Sequence, residues 1–487
     1  MSALTPVPDT ETGDLFDATP EPLIARPKCY EDIKELAKTT GRKISDLLAM
    51  ACQNDPFYVM PVQAKQADWF LGLWSHFNLP PGVHLRRIHY LLVVQPTPFL
   101  MSDGAPYLNT VACWNKLGMA SKSARILGLV DVELFEDHRN PDPILQREYG
   151  QEPWPRWSSY WSGWRQDERW ELPAINADLS SELDWAIPGI DLEGYQSTDH
   201  DQPFHLELIS EKSTMDDIII PLCRELRINY APAIGFLSIT GSVAMLQRLR
   251  HANKPCVVFY ISDFDPAGSF MPQSVARQLE FWRDRYAPDL DILLDPLILT
   301  REQVQDYNLP PAPVKDSDKR QDNFFERYGV AGATELDALE ALRPGELAKV
   351  IRQAVAPYRD ANAANQSDKI YRHAVSTIGK QWREISHPYR WRLRGLKERA
   401  AEIIDGYQER LESLRDELAD ELEPIGVELQ RLRHAVKADL SDFDPLLPDR
   451  YATQITLPEQ FDGLFDSRRD YLTQLSAYKA RGTEATS

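Results

Sequence analysis

The chain has 487 residues, a hydrophobic content of 43% and a charged content of 26%, which are ordinary values for a soluble globular protein of two or three domains. The formal net charge of −20 excludes a protein that coats nucleic acid with its whole surface, so any DNA contact must come from local basic patches. No apolar run approaches the roughly 20 residues of a membrane helix. The five scattered cysteines predict reduced thiols in a cytoplasmic setting, and the acidic, proline-rich start predicts no secretory signal.

The N-terminal part of the chain divides into a tail and a helical region. Residues 1–28 are rich in Pro, Asp, Glu and Thr and show no periodicity, which predicts a disordered tail. Residues 29–140 are predicted to form a helical and winged-helix domain. Within it, one apolar stripe predicts a helix that packs into a core, through Trp69, Phe70, Leu73, Trp74 and Phe77.

Residues 83–138 have the element order of a winged helix. The pattern predicts a helix over 83–94, a helix capped by Asn109 or Thr110, a turn at Gly118, a second helix over 120–127 and a strand over 129–135. In a winged helix the second helix of such a pair enters the major groove of DNA. That helix carries Lys122 and Arg125, which are candidates for contacts with phosphates or bases.

A short motif in the same region points to a nucleophile. The sequence Arg86-Arg87-Ile88-His89-Tyr90 resembles the stretch that carries the active tyrosine in the A subunit of type IIB DNA topoisomerases and in related meiotic double-strand-break proteins. Those proteins also place a winged helix before a Toprim domain. The resemblance implies that Tyr90 is the nucleophile and that Arg86 helps to bind phosphate. The alternative is a tyrosine that packs in the core or at its rim.

Residues 141–203 are predicted to be a Trp-rich connector. Trp154, Trp157, Trp161 and Trp164 are spaced by three, four and three residues, which predicts four indoles on one helical face. The favoured interpretation is a helix that clamps two domains together, and the alternative is an aromatic platform for nucleobases.

The chain from 204 to 300 alternates predicted strands and helices. The strands are expected near 204–209, 231–234, 256–261 and 291–299, and the first helix is expected to be capped by Ser213 or Thr214. This alternation predicts a parallel sheet with right-handed crossovers, whose ligands bind at the carboxyl ends of the strands. Glu211, Asp263 and Asp265 fall at these ends, and such a set of oxygen ligands suits a hard cation such as Mg²⁺.

These residues also carry a resemblance to a known domain. Glu211 after the first strand, Gly235 after the second and Asp263-x-Asp265-x-x-Gly268 after the third resemble the Toprim domain of topoisomerases, bacterial primases and several nucleases. The resemblance implies that the three acids bind Mg²⁺ or Mn²⁺, with Glu211 also catalytic, and that the two glycines form turns. The alternative is that the acids cap the helices that follow them.

The C-terminal part is predicted to be helical. Residues 301–400 are expected to extend the Toprim domain, and their basic stretch over 371–399 is interleaved with aromatic residues. This stretch is either a surface that follows the DNA backbone or a solvated helix face. Its candidate DNA contacts are Arg383, Arg390, Arg392 and Arg394. Residues 401–487 are predicted as a helical hairpin or short coiled coil, which turns near 421–426, and a tail.

The sequence therefore predicts an α/β protein, with a Toprim-like parallel sheet flanked by helices, a preceding winged-helix domain and a helical C-terminal extension. The predicted function is Mg²⁺-dependent cleavage or transesterification of DNA. Two alternatives remain: a hydrolytic Toprim nuclease without a covalent intermediate, and a non-catalytic DNA-binding or scaffold protein of a mobile element or phage-defence system. The topoisomerase resemblance implies a homodimer. The chain has no Walker loop, so nothing in the sequence indicates ATP hydrolysis. A separate ATPase is a further candidate partner.

Overall fold

The computed structural model describes residues 26–52, 54–135, 141–147, 149–150, 152–160, 186–233, 235–314, 320–330, 332–407 and 415–480. Almost all of the predicted disordered tail lies outside these ranges. The chain forms two compact units, one made of 1–146, 205–355 and 458–487 and the other of 147–204 and 356–457. This division differs from the six predicted segments, because the N-terminal helices and the end of the chain belong to the same unit as the sheet.

The secondary structure is mixed. The described strands are β1 (Arg156–Tyr160), β2 (Gly189–Glu193), β3 (His205–Ser210), β4 (Asn229–Pro232), β5 (Cys256–Ile261), β6 (Ile292–Ile298) and β7 (Phe465–Asp466). The helices of the first unit are α1 (Tyr30–Thr40), α2 (Pro61–His76), α3 (Leu85–Val93), α4 (Val111–Ile126), α5 (Asp216–Leu226), α6 (Ile239–His251), α7 (Met271–Tyr286), α8 (Arg301–Asp306), α9 (Gln321–Tyr328), α10 (Leu336–Leu342), α11 (Glu346–Val355) and α14 (Tyr471–Ala480). The helices of the second unit are α12 (Ala363–Tyr407) and α13 (Arg415–Ser441).

A five-stranded sheet forms the centre of the first unit. Its strand order is β4-β3-β5-β6-β7, and all neighbours are parallel except β6 and β7. Every residue of β3 and β5 is buried, as expected for parallel strands that helices cover on both faces. The predicted parallel sheet flanked by helices is therefore confirmed, and the antiparallel β7 is an addition that the sequence pattern did not indicate.

The winged-helix element order is not formed as predicted. Gly118 does not make a turn but lies inside the continuous helix α4. Leu117 and Ala120 on either side of it are fully buried, and this packing outweighs the cost of about 1 kcal/mol for a glycine in a helix. The N-cap is as predicted, because the Thr110 hydroxyl accepts from the Cys113 amide at 3.2 Å.

The predicted wing strand over 129–135 is also wrong. Residues Val132–Leu134 form a 3-10 turn, and the Asp131 carboxylate accepts from the Glu133 amide at 3.0 Å to begin it. The alternating apolar pattern is explained by this turn, because it buries Val132 and Phe135. The apolar stripe of α2 does pack into a core as predicted, since Phe70 and Leu73 are buried and its three other members pack against them.

In the second unit the Trp-rich segment is a strand rather than a helix where the structure describes it. Trp157 lies in β1, which pairs with β2 in antiparallel fashion, and its ring contacts Phe443 with centroids 5.1 Å apart. Trp154 is 82% exposed. The strand conformation of this segment depends on its pairing with β2, which lies elsewhere in the chain. The spacing of residues within the segment itself gives no information about that partner. Trp161 and Trp164 lie outside the described residues.

The predicted helical hairpin is confirmed, although its turn is misplaced. Pro424 and the residues around it lie inside α13, because Leu422 and Ile425 are buried in the core that α13 forms with α12. The two helices are joined between residues 407 and 415, in a segment outside the described ranges. None of the helices that the structure describes has the length and apolarity to cross a bilayer.

A buried arginine connects three distant segments of the first unit. Arg277 on α7 places its Nε 3.2 Å from both carboxylate oxygens of Asp55, and its Nη1 lies 2.9 Å from Glu280. On α14, Tyr471 accepts from Arg277 at 2.8 Å and Tyr478 donates to Glu280 at 3.0 Å. The end of the chain is thereby fixed to the sheet unit by charge-assisted hydrogen bonds in a site without solvent.

We expect Arg277→Met to lower the free energy of unfolding by about 3–5 kcal/mol, because it leaves Asp55 buried without this counter-charge and leaves Glu280 with the more distant Arg26, 3.7 Å away. Urea denaturation of the full chain measures the change. Arg352→Met is the control, since Arg352 forms an exposed ion pair with Glu225, and such pairs contribute little to stability. Equal effects of the two substitutions would contradict a stabilising role for the buried network.

Candidate carboxylate site at the sheet edge

The register of two neighbouring strands brings the predicted acids to one edge of the sheet. β3 and β5 pair in parallel with Ser210 opposite Ile261, and the amide of Glu211 donates to the carbonyl of Ile261 at 3.1 Å. Glu211 and Asp263 therefore leave the sheet side by side at the carboxyl ends of their strands. This is the edge at which open α/β sheets bind ligands.

The acids do not cap the following helices. The N-cap positions of α5 and α7 are Met215 and Phe270, and neither carries a side-chain capping bond. The predicted cap at Ser213 or Thr214 is also wrong, because these residues form a 3-10 turn before α5. The capping alternative for the carboxylates therefore does not hold.

Asp265 instead closes the turn that follows β5. Its Oδ1 accepts from the amides of Ala267 at 2.8 Å and Gly268 at 2.5 Å. A Cβ at position 268 would lie 2.2 Å from the carbonyl oxygen of Asp263, so this close approach requires glycine. Gly235 after β4 has φ +72°, the left-handed region that also favours glycine. Both glycines thus have the turn roles that the motif predicted.

Asp263 is held from two sides. It is 8% exposed, its Oδ1 accepts from the Leu336 amide at 2.7 Å, and its Oδ2 lies 2.9 Å from the ammonium of Lys212. An antiparallel bridge between Phe264 and Thr334 brings the segment before α10 against the turn. Asp263 is thus fixed in orientation by a backbone amide and a cation.

The start of α10 adds two acids that sequence reasoning did not include in the site. Glu335 Oε2 and Asp337 Oδ2 lie 3.6 and 3.3 Å from the Lys212 ammonium. Lys212 was also not predicted as a site residue, although its position directly after Glu211 places it near the same strand end. The acids themselves are far from the strand ends in sequence, so nothing local indicated them.

The protonation of Glu211 is strongly perturbed by its surroundings. Its burial, and then the charges of Asp265 and Asp263, raise the pKa of Glu211 from about 4.5 to about 7, against the opposing effects of Lys212 and Arg320. Its Oε2 is buried and has no hydrogen-bond partner among the described residues. The buried hydroxyl of Tyr260 has none either, and burial together with the charge of Glu211 raises the pKa of Tyr260.

The carboxylates do not form a ready metal site. Within the described residues, no group of three or more His, Cys, Asp or Glu side chains is arranged to hold a metal ion. The predicted convergence of Glu211, Asp263 and Asp265 on one point is therefore not observed. The donor chemistry nevertheless fits a hard cation, because a buried carboxylate oxygen without a partner lies beside two further acids.

Tyr90 and Arg86 lie together on an exposed helix face. Tyr90 on α3 is 54% exposed and Arg86, one turn earlier, is also exposed, while Ile88 and Leu92 are buried. His89 between them is buried and bonds to the hydroxyl of Tyr107 at 2.7 Å. Tyr90 is therefore not a core tyrosine, although a position at the rim of the core, with its ring against His89, fits its exposure equally well.

Lys122 and Arg125 point into the first unit rather than away from it. The Lys122 ammonium lies 3.4 Å from the carbonyl of Asn54, and burial lowers its pKa. Arg125 donates to the Thr240 hydroxyl at 3.1 Å and packs over the ring of Phe135. These internal contacts argue against the predicted contact with DNA, because both cations already have partners within the protein.

The four predicted arginines of the basic stretch lie in the second unit, on α12. Arg383, Arg390, Arg392 and Arg394 are all exposed, and Trp391 among them is 73% exposed. Arg392 lies 3.7 Å from Glu428 of α13. Arg383, Arg390 and Arg394 recur at helical spacing and share an exposed basic face of α12, whereas Arg392, two residues after Arg390, lies on another side of the helix.

Comparison with known proteins adds no family assignment: no protein-family model matches the chain, and no curated protein matches it.

We expect Glu211→Gln to stabilise the protein above pH 7 and to have little effect below pH 4.5. Because the pKa of Glu211 is raised in the folded state, its neutral form favours folding at low pH, and this stability is lost as the pH rises through about 7. Glutamine keeps the neutral form at every pH. Melting temperatures over this range measure the difference, and Glu31→Gln on the exposed surface of α1 is the control. A pH-independent difference for Glu211→Gln would contradict the raised pKa.

Proposed function

We propose that this chain is a DNA-cleaving enzyme of the Toprim type that uses Mg²⁺ or Mn²⁺. The observation that carries the proposal is the buried, unpartnered oxygen of Glu211 beside Asp263 and Asp265, at the edge where parallel sheets bind ligands. Such a cluster costs stability unless a positive charge is nearby. Its position therefore favours a binding role over a structural one.

The cation would be held by Glu211, Asp263 and Asp265, with Asp263 kept in orientation by the Leu336 amide. When bound, it would neutralise these acids and polarise a phosphodiester oxygen. We propose that Glu211 also acts as a general acid or base in the reaction. Without a cation its pKa is about 7, and a bound cation would lower that pKa, so protonation of Glu211 competes with cation binding near neutral pH.

The covalent route uses the exposed face of α3. The Tyr90 oxygen attacks phosphorus, one bond from phosphorus to a sugar oxygen breaks, the phenol loses its proton and the released sugar oxygen gains one. Arg86 lies one turn before Tyr90 on the same face, a spacing at which both side chains can reach one phosphate. The proposal includes a homodimer, in which Tyr90 of one copy acts with the carboxylates of the other, and a separate ATPase partner.

DNA binding is proposed for the exposed basic face of α12. A chain with a net charge of −20 repels DNA over most of its surface, so binding depends on faces of this kind. Arginines hold phosphates, and the exposed Trp391 offers a ring for stacking.

We expect Tyr90→Phe to abolish a covalent protein–DNA adduct. Labelled DNA is incubated with the full chain and Mg²⁺, the protein is denatured, and the label that remains with the protein is measured. Tyr160→Phe is the control, since Tyr160 is 54% exposed, like Tyr90. An adduct that survives in Tyr90→Phe would rule out Tyr90 as the nucleophile.

The same assay separates the alternatives. Cleavage of DNA without an adduct, at equal rates in wild type and Tyr90→Phe, would indicate the hydrolytic nuclease. DNA binding that survives both EDTA and Asp263→Ala, without any cleavage, would indicate the non-catalytic protein. The non-catalytic alternative is supported by one observation: the ammonium of Lys212 already neutralises part of the acidic cluster.

We expect Arg390→Ala and Arg394→Ala each to weaken DNA binding about equally for all sequences, and to reduce the slope of log affinity against log salt by about one. Fluorescence anisotropy at several salt concentrations measures both quantities. Arg352→Ala is the control, because Arg352 is paired with Glu225 on a different surface. An unchanged slope for both α12 variants would place DNA elsewhere.

A further inference from the structure

The acidic cluster contains one cation of the protein itself, the ammonium of Lys212. It lies 2.9 Å from Asp263, 3.3 Å from Asp337 and 3.6 Å from Glu335. Its side chain is only 20% exposed. The ammonium therefore belongs to the acidic site rather than to the open surface.

One ammonium cannot neutralise all the acids around it. Glu211, next to Lys212 in sequence, keeps a buried oxygen without a partner among the described residues, and the buried Tyr260 hydroxyl is in the same condition. The two groups interact electrostatically, and buried polar atoms without partners favour the binding of a further polar or charged group. A divalent cation supplies more charge than an ammonium and prefers carboxylate oxygens.

Asp263 is the acid that both cations would use. Lys212 holds its Oδ2, and the cation of the proposed function requires the same carboxylate. Asp337 and Glu335 also lie within 3.6 Å of the ammonium, and Asp337 accepts from the Thr214 hydroxyl at 3.3 Å. Lys212 can therefore leave Asp263 and keep two acidic neighbours, which makes its displacement less costly than the release of an isolated ion pair.

We propose that Lys212 is a displaceable internal counter-ion, which holds Asp263 in the cation-free protein and competes with Mg²⁺ or Mn²⁺ for it. This inference rests on the proposed cation site. Lys212 acts as a positioning residue that sets the cation concentration at which the site fills. It keeps the crowded acids folded until a divalent cation replaces its contact with Asp263.

The test is a titration of the full chain with Mn²⁺. Binding is measured by calorimetry and by the rise in melting temperature. We expect Lys212→Met to bind Mn²⁺ about tenfold more tightly than wild type, the ratio that corresponds to one charge-assisted hydrogen bond no longer lost on binding. Lys212→Met should also melt lower than wild type without cation, since repulsion among the acids is then unrelieved.

Two controls separate charge from structure. Lys212→Arg keeps the positive charge and should stay close to wild type. Lys349→Met removes an exposed lysine that pairs with Glu346 outside the site, and should leave Mn²⁺ affinity unchanged.

The possible results distinguish this inference from the proposed function. Equal or weaker Mn²⁺ binding by Lys212→Met, with clear binding by wild type, would overturn the counter-ion role and leave the cation site standing. Binding by Lys212→Met alone would support the counter-ion role and contradict a cation-dependent activity of wild type. No binding by either protein would overturn both.

Discussion

Repulsion between carboxylates at the end of two parallel strands is the constraint around which the site is built. The pairing of β3 with β5 places Glu211 next to Ile261 and so beside Asp263, and the close turn at Gly268 keeps Asp265 near both. Partial burial strengthens this repulsion because water screens it less. The structure relieves it in two ways, by the ammonium of Lys212 and by a neutral form of Glu211 that persists to about pH 7.

Two other buried carboxylates of the first unit are paired with arginine rather than lysine. Asp55 lies against Arg277, and Glu207 in the middle of β3 is bonded to Arg248. Arginine provides several donors in fixed directions, which suits a permanent pair. The cation in the cluster at the sheet edge is Lys212. Its ammonium lies at the end of a flexible side chain and can exchange partners readily. A cluster with a weaker counter-ion is the better candidate for binding something from outside.

The two helices predicted to act on DNA, α4 and α3, differ in whether their candidate side chains contact the protein or are exposed. Lys122 and Arg125 were predicted to face DNA, yet both have partners inside the first unit. Their role is packing, and a helix pattern alone cannot show which face meets another part of the protein. Tyr90 and Arg86 remain on an exposed face because Ile88 and Leu92 of the same helix supply its buried side. In that case the local apolar spacing was sufficient to place the candidate nucleophile.

The sequence by itself determined the four parallel strands β3 to β6, their alternation with helices and the edge at which Glu211, Asp263 and Asp265 lie. These features follow from local apolar runs and from the direction of parallel strands, which any βαβ unit shares. Only the tertiary structure decided that α4 runs through Gly118, that Trp157 lies in a strand and that Lys212 meets Glu335 and Asp337. Each of these depends on a partner that lies elsewhere in the chain. Burial and pairing with such partners outweigh local preferences that are worth about 1 kcal/mol or less.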